Sequence, residues 1–386
     1  MNLEQKLLID VVKASVTGKP AVMETAPDWK QFLKLASAHN LEALAFDVLQ
    51  KSNIPIPEAV LQYLSNAYMQ AIFMDTQMEY LRKELQAKLE QDGVRHIFLK
   101  GAVLKYNYPE PALRTMCDMD ILVYAADFEK IDSIAKALGG KAMPGDGNHR
   151  NYAFSGGVAV EFHPNLLHHA TPVGTDINPG WQYAKEAVSC AMELTEEGFY
   201  LNTLCHLANH FATGGVGVRF VLDVWVNRHL RKPQADRTFV EKELCRFGLL
   251  DFVNNIEDLA EYWFGDGPGT PLLEELGEYI LTSGSHGTTN RSMLNALSLS
   301  PGGSRASMLW KKAFYPKAEL EDRFPWCKGN PLLLPAAWCA RAYHAITQHG
   351  NYIIHWSKET GKISKTEVIE NQKKLRRFGI HQKSKS

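Results

Sequence analysis

Over residues 1–92 the apolar positions recur at helical spacing. Leu7, Leu8, Val11 and Val12 form one stripe, residues 29–39 and 41–51 give two shorter amphipathic segments, and Pro55 and Pro57 interrupt the run. From 58 to 91 the steps are three or four residues, through Leu61, Leu64, Tyr68, Ala71, Met74, Met78, Leu81, Leu85 and Leu89. That spacing predicts one long helix, closed by Asp92-Gly93. The period then changes. Residues 94–99 predict a short buried strand, 101–106 a helix start, 107–111 a loop with two prolines, and 118–124 a second strand. Asp127 is placed to cap a helix that Gly139-Gly140 stops after Leu138.

Residues 151–154 and 158–163, joined by Ser155-Gly156-Gly157, predict a hairpin. Its second arm alternates, with Val160 and Phe162 on one face and Glu161 and His163 on the other. From about residue 195 the helical period returns, clearest at 201–211, 218–229 and 334–348, with Pro/Gly/Ser-rich breaks at 266–271, 283–289 and 300–307. The expected fold is α+β: a small mixed sheet at 93–195 between helical regions at 1–92 and 196–372. A basic tail at 373–386 is expected to fray.

Composition narrows the function classes. The 386 residues carry Lys+Arg 42 against Asp+Glu 43, a net charge of −1, so no global positive field grips extended nucleic acid. Six scattered cysteines contain no Cys-x-x-Cys pair, which argues against a zinc knuckle and for free thiols in a reducing cytoplasm. No apolar run reaches membrane-spanning length, and the N-terminus has neither a long apolar core nor a small-residue cleavage site.

The chemistry concentrates at Asp118-Met119-Asp120. Side chains two apart on a strand share a face, so two carboxylates meet at a strand start, and their repulsion calls for a cation such as Mg²⁺. Glu161 on a neighbouring strand supplies a third. Three carboxylates suffice for two Mg²⁺ ions, which stabilise the entering and leaving oxygens of an in-line displacement.

Residues 98–123 resemble the DNA polymerase β-like nucleotidyltransferase superfamily. They are most similar to a bacterial family whose motif reads Leu-Lys-Gly, then Arg, then Asp-hydrophobic-Asp, here Leu99-Lys100-Gly101, Arg114 and Asp118-Met119-Asp120. Glu161-Phe162-His163 resembles that family's Glu-hydrophobic-His strand. Residues 204–210 and 219–223 resemble its His-x-x-x-His and Arg-x-x-x-Asp segments, and residues 335–344 a later helix.

The resemblance implies a minimal mixed sheet that binds a nucleoside triphosphate, ATP first, with Mg²⁺ (or Mn²⁺). Asp118, Asp120 and Glu161 would hold metal, with Glu161 alternatively a general base. An acceptor hydroxyl would attack the α-phosphorus and release pyrophosphate. Most of the superfamily has Gly-Ser or Gly-Gly where this chain has Lys100-Gly101. Phosphate contacts would then come from the backbone at Gly101 and Ala102 and from the Lys100 charge.

Arg114 is either a phosphate clamp or a structural bridge across the acids. His163 is either an accessory ligand or proton-transfer group, or a structural histidine. His206 and His210 sit four apart, a zinc-compatible spacing without supporting ligands, so a buried pair or pocket lining is expected. Arg219 and Asp223, also four apart, are expected to form an intrahelical ion pair. Trp181, Trp225 and Trp263 are expected in the core. Competing functional classes are a catalytically silent nucleotide-binding or toxin–antitoxin-like module, and a metal-dependent phosphohydrolase. The acceptor is left open.

Overall fold

The structure, a computed structural model, describes residues 1–21, 25–143, 149–167, 180–185, 189–285, 287–314, 317, 320–321 and 324–381. Four helices come first: α1 (Leu3–Thr17), α2 (Trp29–Ala38), α3 (Glu42–Leu49) and α4 (Glu58–Gln91). The α/β part follows as β1 (His96–Phe98), α5 (Gly101–Leu104), β2 (Asp118–Val123), α6 (Phe128–Ala137), β3 (Lys141–Ala142), β4 (Arg150–Ala153), β5 (Ala159–His163) and β6 (Ala191–Met192). Helices α7 (Glu196–Thr213), α8 (Val218–His229), α9 (Arg237–Phe247), α10 (Leu250–Phe264), α11 (Pro271–Leu281), α12 (Thr289–Ser298) and α13 (Arg305–Ala313) come next. Two further helices span Leu334–Thr360 and Lys365–Arg377. The α+β expectation holds, with one mixed six-stranded sheet in the order β3-β4-β5-β2-β1-β6.

Helix α4 is 34 residues long and serves two cores. Its second half places Met78, Leu81, Leu85 and Leu89 over the sheet, where they meet Met119, Ile121 and Val123 of β2, Val160 and Phe162 of β5, and Ile131 and Ile134 of α6. Its first half sends Val60 and Leu64 into a larger core. That core also takes Leu7, Leu8, Val11 and Val12 of α1, Leu44 of α3, Leu201 and Leu204 of α7 and Phe252 of α10. The sheet's other face joins it through Ile97, Leu99 and Leu122. Helical segments from both ends of the chain therefore share one core with the sheet.

The alternation in β2 explains both faces. Odd positions are apolar and face α4 and α6. Even positions begin with Asp118 and Asp120 and turn apolar only at Leu122. The carboxylates thus stand at the one end of that face which the helices leave open.

Among the described residues the expected hairpin forms, with Arg150 opposite Phe162 and Asn151 opposite Glu161, and the Ser155–Gly157 turn puts Gly156 at φ 77° and Gly157 at φ 80°. Asp127 does not cap α6 with its side chain. It ends a short 3₁₀ turn (Ala125–Asp127), and its carboxylate lies 3.7 Å from Lys130. The basic stretch over 373–381 is not frayed. Leu375, Phe378 and Ile380 are buried in the large core, and Lys374 and Arg377 reach Glu275 at 3.9 and 2.7 Å. Residues 382–386 lie outside the described residues. Trp225 and Trp263 are buried as expected, whereas Trp181 is half-buried and stacks on Tyr124 at 4.1 Å. All six cysteines are free thiols. Among the described residues no helix is long and apolar enough to cross a membrane.

A buried cation ties α4 to the chain just after α5. Lys105 is 2% exposed, and its Nζ lies 2.7 Å from Asp75 Oδ1 and 3.7 Å from Glu79 Oε2. Burial alone would raise the Glu79 carboxyl, but Arg82, Tyr106 and Lys105 hold it at about 2, below its ordinary 4.5. A carboxyl depressed on folding adds stability that is complete above its unfolded pKa and vanishes as pH falls through the folded one. Urea denaturation should therefore show the native chain more stable than Glu79→Gln above about pH 4.5, with the gap closing as pH drops towards about 2. A gap that stays constant across that window would remove Glu79 as its source.

Candidate active site

Strands β2 and β5 run parallel, and their register sets Asp120 directly beside Glu161 and Leu122 beside His163. Like charges facing each other across neighbouring strands repel, so the pair needs compensation. Two side chains provide it. Lys100 Nζ donates to Asp120 Oδ1 at 2.9 Å, and His163 Nε2 lies 2.8 Å from the same oxygen and 3.3 Å from Glu161 Oε2.

The electrostatics follow from this crowding. Burial pushes Asp120 up, but Lys100 and the His163 hydrogen bond hold its carboxyl far below the usual range. The His163 hydrogen bond also lowers Glu161. Burial alone would lower His163; Asp120 and Glu161 raise it instead. Asp118, at the strand's first position, is more exposed, yet desolvation within the cleft and the Asp120 charge push its carboxyl up.

Lys100 stands at φ 49°, one of two non-glycine residues with positive φ among those described. Such backbone is costly for a side-chain-bearing residue and persists where surrounding contacts enforce it. Here the chain leaves β1 through Leu99, whose N–H donates to the Asp120 carbonyl at 3.0 Å, and turns at Lys100 into α5. The turn aims the ammonium back at Asp120. Gly101 is required for close packing: a Cβ there would run into the Arg114 guanidinium and come within 2.8 Å of Met116 Sδ.

Arg114 has its fork filled. Nε and Nη2 donate to Asp223 Oδ1 and Oδ2 at 3.1 and 2.7 Å, and the Tyr108 hydroxyl donates to Asp223 Oδ1 at 2.6 Å. The structure thus gives the paired-oxygen geometry of Arg114 to a protein carboxylate on α8. The expected Arg219–Asp223 intrahelical pair is replaced. Asp223 turns to Arg114, while Arg219 donates to the Thr115 carbonyl and lies 3.3 Å from the Thr115 hydroxyl. Both contacts thereby tie α8 to the segment that leads into Asp118. No local sequence signal marks Tyr108 and Thr115, because their partners lie 115 and 104 residues away.

A cleft of about 1100 Å³, its open mouth included, unites these groups. Lys100, Gly101, Arg114, Asp118, Asp120 and Glu161 all line it, whereas Ala102, also expected at the phosphates, is buried and its N–H donates to the Leu99 carbonyl at 3.2 Å, and His163 joins the site through Asp120 and Glu161. Arg219, Asp223, His206 and His210 line it as well. The two histidine rings lie 4.3 Å apart, with Phe220 at 6.0 and 5.6 Å, as one aromatic wall. Burial, Lys100 and His210 hold His206 well below its ordinary value, so the ring is neutral near pH 7.

Among the described residues the group suited to a metal is Asp120, Glu161 and His163, whose ligand atoms all lie within 4.8 Å of one another. Asp118 stands beside this group rather than in it, and the histidine pair does not form one. Two carboxylates and an imidazole suit Mn²⁺ or Zn²⁺. With Asp118 and phosphate oxygens the donor set becomes oxygen-rich enough for Mg²⁺. The residues fit a divalent cation.

Carboxylates held in register at the open end of a mixed sheet, within a cleft that also carries cations, suit chemistry on phosphorus-containing groups. Residues 25–265, more than half of the chain, match the model of the uncharacterised nucleotidyltransferase family, and the chain belongs to that family. No curated protein and no solved structure matches the chain.

Proposed function

We propose that this nucleotidyltransferase is of the DNA polymerase β-like type and moves a nucleoside monophosphate from an NTP, ATP first, to a hydroxyl acceptor. The observation that carries the reading is the register pair Asp120–Glu161, set in a cleft with Lys100, Arg114 and Arg219. The acceptor oxygen forms a bond to the α-phosphorus, the α–β bridging bond breaks, and pyrophosphate leaves with its electron pair.

Asp118, Asp120 and Glu161 would hold Mg²⁺, with His163 as the adjoining ligand. Bound there, the cation supplies charge stabilisation to the attacking and leaving oxygens. Whichever of Glu161 and His163 does not ligate the cation would take the acceptor's proton. Lys100 and Arg219 offer charge to the phosphates, and Lys100 can exchange Asp120 for phosphate oxygen because its side chain is 20% exposed. Arg114 positions the wall through Asp223. The His206–His210–Phe220 wall bounds the nucleotide's side of the cleft. Residues 1–92, 93–195 and 196–372 serve as sequence segments around this site.

The test is a thermal shift with ATP, with and without Mg²⁺, on the native chain and on an Asp118→Asn/Asp120→Asn double variant. The native chain should show a shift that needs Mg²⁺ and that the double variant loses. ATP binding that ignores both the metal and the substitutions would overturn the catalytic reading and favour a silent nucleotide-binding module.

A further inference from the structure

Two lysines beside the sheet are paired with carboxylates, and they are held differently. Lys105 is 2% exposed and sits between Asp75 and Glu79. The Lys100 side chain is 20% exposed, and its Nζ reaches Asp120 Oδ1 at 2.9 Å. The root of Lys100 is fixed. Its carbonyl accepts from Val103 and Leu104 at 3.2 and 2.8 Å, and the neighbouring Leu99 N–H donates to the Asp120 carbonyl. The flexible four-carbon stem beyond that root lines the cleft. Lys100 can therefore swing its ammonium between Asp120 and the cleft without moving the turn.

Asp120 is also one of the three residues suited to a metal, with Glu161 and His163. A divalent cation there would share the Asp120 carboxylate with the Lys100 ammonium, and the two positive charges repel. Asp120 is 6% exposed, so little water screens them. Phosphate oxygens in the same cleft would relieve this by taking the ammonium. Arg114 and Arg219, which also line it, are committed to Asp223 and to the Thr115 carbonyl. Lys100 is the cation that joins the carboxylates to the phosphates' side of the cleft.

We infer that Lys100 couples the two ligands: it weakens the metal site in the nucleotide-free protein, and a triphosphate strengthens that site by drawing the ammonium onto its own oxygens. The inference rests on the nucleotidyl-transfer reading. Linkage makes the effect reciprocal, so metal and triphosphate tighten one another by the same factor. The coupling also bears on which metal is held. An imidazole in the donor set favours Zn²⁺ over Mg²⁺. A lysine on the shared carboxylate lowers the affinity of the nucleotide-free site for both, and the oxygens that arrive with a triphosphate suit Mg²⁺.

Mn²⁺ binding to the full-length chain tests this, with unbound Mn²⁺ counted by electron paramagnetic resonance. The proteins are the native chain, Lys100→Met and Lys100→Arg, each with and without α,β-methylene-ATP, which cannot pass on its nucleotidyl group. Without nucleotide, Lys100→Met should bind Mn²⁺ at least about tenfold tighter than native, a modest part of such a repulsion at an effective dielectric constant of about 20. Lys100→Arg keeps the charge and should stay near native. Adding Asp120→Asn to Lys100→Met should remove the tight binding, which assigns it to this site. The analogue should tighten Mn²⁺ on the native chain by about tenfold or more, and on Lys100→Met by a smaller factor. Lys100→Met binding Mn²⁺ no tighter than native, or equal tightening by the analogue in both, would overturn the inference.

A second measurement keeps to the native chain. Acetic anhydride labelling of Lys100, read by mass spectrometry against Lys105, should speed up with Mn²⁺ alone as the ammonium leaves Asp120. With Mn²⁺ and the analogue it should fall below the metal-free rate. Labelling that ignores Mn²⁺ would also overturn the inference. An analogue that binds under no condition would instead sink the nucleotidyl-transfer reading, and the nucleotide-free comparison would still decide whether Lys100 keeps the metal site weak.

Discussion

Asp120→Asn should lower nucleotidyl transfer by at least about 10³-fold, since the several kcal/mol that a cation in the proposed site would contribute at the reacting oxygens would depend on the carboxylates holding it. Asp120 is 6% exposed and is the common partner of Lys100 and His163. It is also in register with Glu161. Asparagine keeps its shape and loses the charge for which the other groups are arranged. The fold should tolerate the change, because Lys100 keeps enough exposure to find solvent. Steady-state rates with labelled ATP would measure the loss, and a denaturation curve would confirm that the variant is folded. A rate within about tenfold of native would place the essential carboxylate elsewhere.

Asp223→Ala should be the most destabilising single change at the site, by about 3–5 kcal/mol. Asp223 accepts from Arg114 twice and from Tyr108 once, and all three side chains are largely buried. Truncation leaves a guanidinium and a hydroxyl without their partner in a site they cannot easily leave. The cost of such orphaned groups exceeds the net worth of the pair. The Arg114 guanidinium also fills the space over Gly101, so its release would loosen the turn that aims Lys100. Equilibrium urea denaturation reads the effect directly. A loss below about 1 kcal/mol would mean the pair behaves as an exposed one.

Short-range patterning explains what was legible in the sequence. The alternation of 118–123 and 159–163 specified that Asp118 shares a face with Asp120, and Glu161 with His163. The three-and-four stepping of 58–91 specified α4 almost to the residue. Partners far apart in the chain were not legible. Arg219 and Asp223 sit at a spacing that suggests a local pair, yet Asp223 is taken by Arg114, 109 residues earlier. Local spacing shows what is possible on one helix and says nothing of a stronger competitor on another element. The basic stretch after 373 misled in a different way. Its charges dominate by number, while Leu375, Phe378 and Ile380 determine where it goes. The metal-suited group likewise includes His163 more closely than Asp118, because strand register across β2 and β5 is a tertiary fact.

The large core draws apolar side chains from α1, α3, the first half of α4, the sheet, α7, α10 and the last helix. A fragment limited to 93–195 would bare Ile97, Leu99, Leu104 and Leu122, all at most 1% exposed in the whole chain. It would also lose Asp223, and with it the anchor of Arg114. The sheet segment that carries the proposed site is therefore not portable. Lifted out or grafted, it would lose the core that supports it, and an insertion that separates the early helices from the late ones would reach the carboxylates by way of the core.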